Sequence, residues 1–358
     1  MRVLVTGGTG YIGSHTCVEL QNAGHDVVIV DNLSNSSPNV IERIERISGR
    51  QVKFFNIDVR DISALEHLFN LQQFDAIMHF AGVKAVSESI ADPLKYYSNN
   101  VRGSLSLFET ASRHGVTRIV FSSSATVYGH TASSPLREDC PTSPSNPYGR
   151  SKRIVEEYLT DLCLANPARR AVILRYFNPV GAHPSGLIGE APVGMPNNLM
   201  PFLCQAAAGR RPELVIFGHD YPTADGTAIR DYIHVVDLAR GHVYALEHTV
   251  GGDNVQITNL GTGRGTSVLE LLKTFERVNR VSISYRFAER RAGDTTVTYA
   301  DPTLAAERLN WRTQLTLENM CRDAWHWQQQ NPDGYTKKPA MGFQIQRPDV
   351  TADTLYTL

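Results

Sequence analysis

Short β-branched runs alternate with stretches whose apolar residues recur every three or four positions through the first half of the chain. Arg2-Val3-Leu4-Val5-Thr6 reads as a buried strand, and the helical pattern of Ser14–Asn22 is closed by Gly24. The strand Val27-Val28-Ile29-Val30 follows, then Val52-Lys53-Phe54-Phe55 and a helix over Ile62–Leu71. Asp75–Phe80 predicts another strand, Tyr96–Arg113 a helix, and Thr117–Phe121 a further strand. Pro147, followed by a run without breakers over Ile154–Leu159, marks a helix start, and Ala171–Phe177 is the next strand.

After Phe177 the composition shifts, with Pro and Gly frequent through 179–196. A short helix to Gly209, a small strand over Val215–Gly218 and a polar loop, Asp220–Gly226, come next. Ile229–His234 leads into a helix over 236–248, and the strand Val255–Leu260 is expected to rejoin the main sheet. Leu269–Arg277, 303–309 and 316–329 read as helices, and Arg290–Asp294 as a charged loop. The pattern predicts an α/β fold: a Rossmann-type doubly wound parallel sheet with a smaller, mixed α/β C-terminal lobe. The expected division is 1–177 for the sheet domain, with 229–260 rejoining it, 178–335 for the lobe, and an extended or disordered tail over 336–358.

Composition narrows the function classes. With 358 residues, 42% hydrophobic and 20% charged, the chain reads as an ordinary globular protein. A net charge of −1 leaves no global field for nucleic acid or anionic membrane, so an anionic ligand must meet local cations. The cysteines at 17, 140, 163, 204 and 321 include no Cys-x-x-Cys, which points away from a zinc site or disulfide framework and towards a reducing cytoplasm. A strand begins at once, leaving no room for a signal peptide, and no apolar run approaches the length of a bilayer span.

The chemistry gathers at the strand ends. Gly7-Gly8-Thr9-Gly10-Tyr11-Ile12-Gly13 lies between the first strand and helix, where glycines let a pyrophosphate reach the helix N-terminus. Asp31, ending the second strand, can hold both adenosine ribose hydroxyls and would repel a 2′-phosphate, favouring NAD over NADP. The spacing is G-x-x-G-x-x-G rather than G-x-G-x-x-G. Ligands in such sheets lie beyond the carboxyl ends of the strands, so Asp58 is placed to reach the adenine amine. Phe80, Ala81, Gly82 and Lys84 are placed to line the cofactor, with Asn99 and Asn100 as candidate polar contacts. His79 reads as a packed strand histidine. Ser122-Ser123-Ser124 arrives at the same edge. Tyr148 and Lys152, four apart at a helix start, share one face. Free tyrosine has a pKa of about 10. An ammonium roughly 5 Å away at an effective dielectric of about 20 contributes about 3 kcal/mol, or about two pKa units. A second cation would bring the phenolate within reach of neutral pH.

These motifs, with Asp31-Asn32-Leu33, Ser124-Ala125-Thr126-Val127-Tyr128-Gly129 and Tyr148-Gly149-Arg150-Ser151-Lys152, resemble the extended short-chain dehydrogenase/reductases. Arg175–Pro184, Pro196–Pro201 and Arg230-Asp231-Tyr232-Ile233-His234 narrow the resemblance to the UDP-glucose (UDP-galactose) 4-epimerases over residues 1–335. The resemblance implies interconversion of UDP-glucose and UDP-galactose, with Tyr148 as catalytic base, Lys152 on the nicotinamide ribose and Ser124 on the sugar O4. The oxidised nicotinamide would be the second cation. It also implies NAD contacts at Tyr11, Ile12, Asn32, Asn35, Val59 and Phe177, besides Asp31, Asp58, Phe80, Ala81, Lys84 and Asn99. Arg230 and Arg291 would hold the diphosphate and Asp294 the uridine ribose. Asn178, Asn198, Leu199 and Phe217 match further sugar-nucleotide contacts. A homodimer joined through helices near 92–113 and 148–165 is implied as well.

Sugar-nucleotide dehydratases and decarboxylases carry acids just after the Ser/Thr, because elimination needs a second acid and base. Here those places are Ala125 and Thr126. A non-catalytic NAD-binding scaffold typically lacks the tyrosine or lysine, and simple oxidation of a free sugar would not need the UDP-binding set. One position departs from the family. Thr298 and Tyr299 are the candidates for the residue bordering the sugar 2-position, and the aromatic Tyr299 aligns with the residue after it. A small Thr298 there would admit UDP-GlcNAc and UDP-GalNAc, so UDP-GlcNAc 4-epimerisation is the alternative main activity.

Overall fold

The computed structural model describes residues 1–335 apart from 131–132, 195, 197, 249–252 and 292; the tail expected over 336–358 lies outside the described residues. The first six strands are β1 (Arg2–Thr6), β2 (Asp26–Val30), β3 (Lys53–Phe55), β4 (Ala76–His79), β5 (Arg118–Ser124) and β6 (Arg170–Tyr176). They alternate with α1 (Tyr11–Asn22), α2 (Asn39–Ser48), α3 (Ile62–Leu71), α4 (Val86–Ala91), α5 (Pro93–Tyr96), α6 (Gly103–Arg113) and α7 (Pro147–Ala165). Later come β7 (Asn178–Val180), α8 (Leu199–Ala207), β8 (Leu214–Phe217), β9 (Ile229–Arg230), β10 (Tyr232–His234), α9 (Val235–Glu247) and β11 (Val255–Leu260). β12 (Thr266–Ser267), α10 (Val268–Asn279), β13 (Tyr285–Ala288), β14 (Val297–Thr298), α11 (Thr303–Leu309) and α12 (Leu317–Gln330) follow.

The central sheet runs β11-β6-β5-β4-β1-β2-β3, with every neighbouring pair parallel. The chain winds outward from β1 to β3, then crosses back to β4, which places a topological switch between β1 and β4. Such a switch opens a crevice at the carboxyl ends of the strands. Side chains alternate across the sheet: Val3, Val5, Ile29 and Met78 join one core with α1, α2 and α9. Leu4, Val28, Val30 and Ile77 join the other with α3, α6 and α7. Burial on both faces is why these strands read as continuous apolar runs; each fully buried aliphatic side chain contributes roughly 1.5–3 kcal/mol. A further core under α8, β8, α10 and α12 holds the C-terminal lobe.

Four details differ from the expectation. The strand expected over Thr117–Phe121 runs on through Ser122-Ser123-Ser124, because β5 continues beside β6 to the Ser124–Tyr176 pair. The helix expected over Tyr96–Arg113 is divided by a wide-turn segment, Tyr97–Arg102, between α5 and α6. There Asn100 spends its amide on Val83, accepting from its N–H at 2.9 Å and donating to its carbonyl at 3.0 Å. α2 was not predicted, although Val40, Ile41 and Ile44 bury one of its faces. Within 229–260, β11 is an edge strand of the central sheet, while β9 and β10 belong to small sheets with β12, β14 and β7. His79 is a packed histidine, bridging Thr6 Oγ1 at 2.6 Å and Ser104 Oγ at 2.8 Å.

Candidate active site

The glycine turn after β1 is built to bring backbone against a ligand. Gly7 has φ +71, and a Cβ on it would fall 2.6 Å from the Ala81 nitrogen. A Cβ on Gly13 would lie 2.2 Å from the Gly7 carbonyl oxygen. α1 begins after Gly10 with no side chain capping it. Its first-turn N–H groups are thus available to an anion, the arrangement a pyrophosphate requires. Asp31 Oδ2 accepts from Thr9 N at 3.2 Å, and its Oδ1 accepts from Leu33 N at 2.9 Å and Ser36 Oγ at 3.1 Å. Asp58 is gripped by the Arg60 fork at 2.9 and 2.7 Å and by Asn32 Nδ2 at 2.9 Å. The Arg60 hydrogen bonds hold the Asp58 carboxyl below its usual range. These residues fit a dinucleotide with an unphosphorylated adenosine ribose.

β5 and α7 supply the reactive centre. Asn146 caps α7 by accepting from Gly149 N at 2.9 Å, and Pro147 starts it, so Tyr148 and Lys152 share its inner face. The strand's alternation gives the three serines different partners. Ser122 and Ser124 meet Tyr176 and Tyr148, whereas Ser123 donates to Glu156 behind the strand. Ser124 Oγ accepts from Thr126 N at 3.2 Å and from Thr126 Oγ1 at 3.0 Å. Its own proton is therefore free to be donated to the Tyr148 oxygen, a bond that favours the phenolate. Lys152, 6% exposed, donates from Nζ to the Ser122 carbonyl at 2.7 Å.

Burial dominates both partners of the pair. It pushes the Tyr148 phenol up, with the Ser124 bond opposing, and pushes Lys152 down to about 8, with the Glu156 charge opposing. The fall in the tyrosine expected from Lys152 is absent from the protein alone, because the ammonium would lose its proton before the phenol ionises. Glu156 is held by Arg175 through a forked pair at 3.0 and 2.7 Å.

One cavity of about 630 Å³ joins these groups to the lobe. Gly7, Gly10, Tyr11, Ile12 and Gly13 line it from the first turn, with Asn35, Phe80, Gly82 and Lys84 beside them. Ser124, Tyr148, Lys152 and Phe177 lie on its wall, and Asn178, Asn198, Leu199 and Phe217 continue it. Arg230, Arg291 and Asp294 belong to it as well. Arg291 is paired with Asp294 at 3.0 Å, joining a residue expected at the diphosphate to one expected at the adjoining uridine ribose. Among the described residues Arg230 forms no ion pair; it donates to the Ile229 carbonyl at 2.8 Å.

Seven expected residues are not on that lining: Asp31, Asn32, Asp58, Val59, Ala81, Asn99 and Thr298. The first four stand beyond β2 and β3, and local bonds occupy the polar side chains among them. Ala81 offers backbone against Gly7, and Asn99 donates to the Lys95 carbonyl along its own turn. The Thr298 hydroxyl meets that of Thr295 at 2.7 Å, while Tyr299 lines a separate recess with Ser134. Tyr176 and Glu190 are among the lining residues that escaped the sequence reading. Tyr176 closes the strand behind Ser122, and Glu190 accepts at Oε1 from Lys84 Nζ at 3.0 Å and Asn198 Nδ2 at 2.7 Å. Glu190 lies in an irregular segment where no periodicity marks a residue.

Known proteins with this arrangement share its sequence closely. A UDP-glucose 4-epimerase of Pasteurella multocida is 54% identical over 336 residues, spanning 94% of this chain and 99% of that one. The crystal structure of UDP-glucose 4-epimerase from Bifidobacterium longum, in complex with NAD+ and UDP, superposes with a TM-score of 0.90 at 48% identity, covering 93% of this chain and all of that one. A UDP-glucose 4-epimerase from Stenotrophomonas maltophila, with bound NAD and formylated UDP-arabinopyranose, gives 0.91 at 49% identity, covering 93% of this chain and 99% of that one. The glycine turn, the serine-bearing strand and the tyrosine–lysine helix all fall within residues 3–261, the span matched by one family model, and the chain belongs to the NAD dependent epimerase/dehydratase family.

Proposed function

We propose that this protein interconverts UDP-glucose and UDP-galactose by reversible oxidation and reduction at sugar C4, using NAD. The observation that carries the reading is one cavity holding Ser124, Tyr148 and Lys152 together with Arg230 and the uncapped start of α1. Relatives named UDP-glucose 4-epimerase at this identity favour the plain hexose over its N-acetylated counterpart as main substrate. NAD, when bound, supplies the hydride acceptor for C4 and a cationic ring near the phenol.

The residues then divide the work. Tyr148 takes the O4 proton and returns it after the 4-keto sugar has turned over in the cavity. Ser124 donates to the Tyr148 oxygen, stabilising negative charge there. Lys152 places an ammonium on the same helix face, protonated at neutral pH because its pKa is about 8. Ala125 and Thr126 offer no second acid or base, and the Thr126 hydroxyl is committed to Ser124, which disfavours elimination. Arg230 and Arg291 suit the diphosphate, arginine's fork matching phosphate oxygens.

A homodimer accords with the surface of α4, α5 and α7, where Ile90 (63% exposed), Leu94 (80%) and Ile154 stand in water on neighbouring helices. Among the described residues no helix is long and apolar enough to cross a membrane, and a cytoplasmic site of action is proposed with the function. Tyr148→Phe tests the mechanism in a coupled assay with UDP-galactose. Turnover should fall by about 10²–10⁴-fold while bound NAD and UDP affinity are retained. Full turnover in that variant would overturn the assignment.

A further inference from the structure

Glu190 is 10% exposed at its side chain and directs a single oxygen, Oε1, to two partners from opposite sides of the cavity. Lys84 follows β4 on the dinucleotide side, where its Nζ also lies 5.8 Å over the Tyr11 ring. Asn198 precedes α8 on the lobe side. The segment bearing the carboxylate is itself clamped. The Tyr335 hydroxyl accepts from Gly189 N and donates to Gly189 O, both at 3.0 Å. A Cβ on Gly189 would stand 2.4 Å from the Trp327 ring, so the indole packs directly on that backbone. Arg43 donates to the Leu187 carbonyl at 2.9 Å and stacks 4.8 Å from the Tyr335 ring. A partly exposed loop carboxylate would ordinarily wander among rotamers. This one is held from behind and bonded in front.

We propose that Glu190 is a positioning residue that couples the two halves of the site. Through one oxygen it orients Lys84 towards the cofactor and Asn198 towards the sugar nucleotide, so that a change on either side is felt on the other. The inference rests on the function proposed above. Coupling of this kind is reciprocal and typically spans 5–150-fold in affinity. Lys84 lies on the cofactor side, and its influence on sugar-nucleotide binding passes through Glu190.

The test is a double-mutant cycle on the NAD-loaded protein, read as the Kd for UDP by calorimetry with cofactor content measured for each variant. Lys84→Met should weaken UDP binding about five-fold or more with Glu190 present and by less than about two-fold in a Glu190→Ala background. Glu190→Gln keeps an acceptor oxygen without the charge. It should raise KM for UDP-galactose with kcat within about two-fold of the parent, the split expected when binding alone is loosened. It also serves as the folded variant should Glu190→Ala not fold. An equal effect of Lys84→Met in both backgrounds, or none in either, overturns the coupling. Unmutated protein that binds UDP without epimerising UDP-galactose refutes the proposed function and leaves the coupling to its own cycle. Unmutated protein that does not bind UDP refutes both.

Discussion

Lys152→Met removes one charge from a buried site and keeps most of the volume. At neutral pH the ammonium is present, because burial lowers it only to about 8. In the NAD-loaded protein the cationic ring would bring the phenol into the range where Lys152 is still protonated. Two charges roughly 5 Å apart at an effective dielectric of about 20 then interact by about 3 kcal/mol. That energy corresponds to about two pKa units. Tyr148 accepts a proton as phenolate, so activity rises with pH through its pKa. Removing the cation raises that pKa, so the acidic limb of kcat should move up by about two units and turnover at pH 7 should fall about 100-fold. The fold should hardly notice. The lysine's folded pKa, about 8, lies below its ordinary 10.5, so the protonated side chain costs stability below pH 8, a cost that fades as pH rises towards 10.5. The drop corresponds to about 3 kcal/mol, against roughly 1.5–3 kcal/mol from the charge-assisted bond to the Ser122 carbonyl. The two nearly cancel, so urea melts at pH 7 should agree within about 1 kcal/mol. A stopped assay over about pH 5–9 (about two units either side of neutrality, the scale of these shifts) reads the limb. An unmoved limb with less than about five-fold loss would refute the electrostatic reasoning.

Gly13→Ala places a Cβ 2.2 Å from the Gly7 carbonyl oxygen, so the protein should be purified with little or no NAD, read from the absorbance of bound cofactor. Leu94→Asp places a charge on the exposed α4–α5–α7 surface and should give a monomer in sedimentation, against a dimer for the parent. If Thr298 borders the sugar 2-position, UDP-GlcNAc should be epimerised and Thr298→Tyr should abolish that reaction while sparing UDP-galactose. No detectable turnover of UDP-GlcNAc by the parent would sink that idea.

The strands of the central sheet were legible because each must be apolar on both faces, and only such runs survive between two helical layers. The glycine turn was legible for a steric reason, since Gly7 and Gly13 stand where a Cβ would strike backbone. The strand before the serines was read as stopping at Phe121, because hydroxyls are usual in loops, and only the parallel ladder to Tyr176 carries it on to Ser124. The wide turn before α6 was hidden as well, since the Asn100 bonds to Val83 join residues 17 apart. Glu190 was out of reach for the same reason: its partners lie 106 positions before it and 8 after it. The ionisation of Tyr148 and Lys152 was read only in part. Spacing reveals a neighbouring charge, whereas desolvation depends on the layers that cover it.

β11 carries a consequence for any attempt to divide the chain. It is the last strand to enter the central sheet, yet it covers Ala171–Tyr176 in full register, from Val255 opposite Ala171 to Leu260 opposite Tyr176. A fragment ending at 177, where the composition changes, would present β6 as a bare edge of six or more apolar-rich positions with unpaired N–H and C=O groups. It would also lose α9, whose Leu238, Val243 and Leu246 cover one face of the same sheet. Such a fragment would be prone to self-association through that edge. Gene fusions, split reporters and circular permutants of this fold should therefore keep residues 235–260 with the glycine-turn half, and place new termini elsewhere.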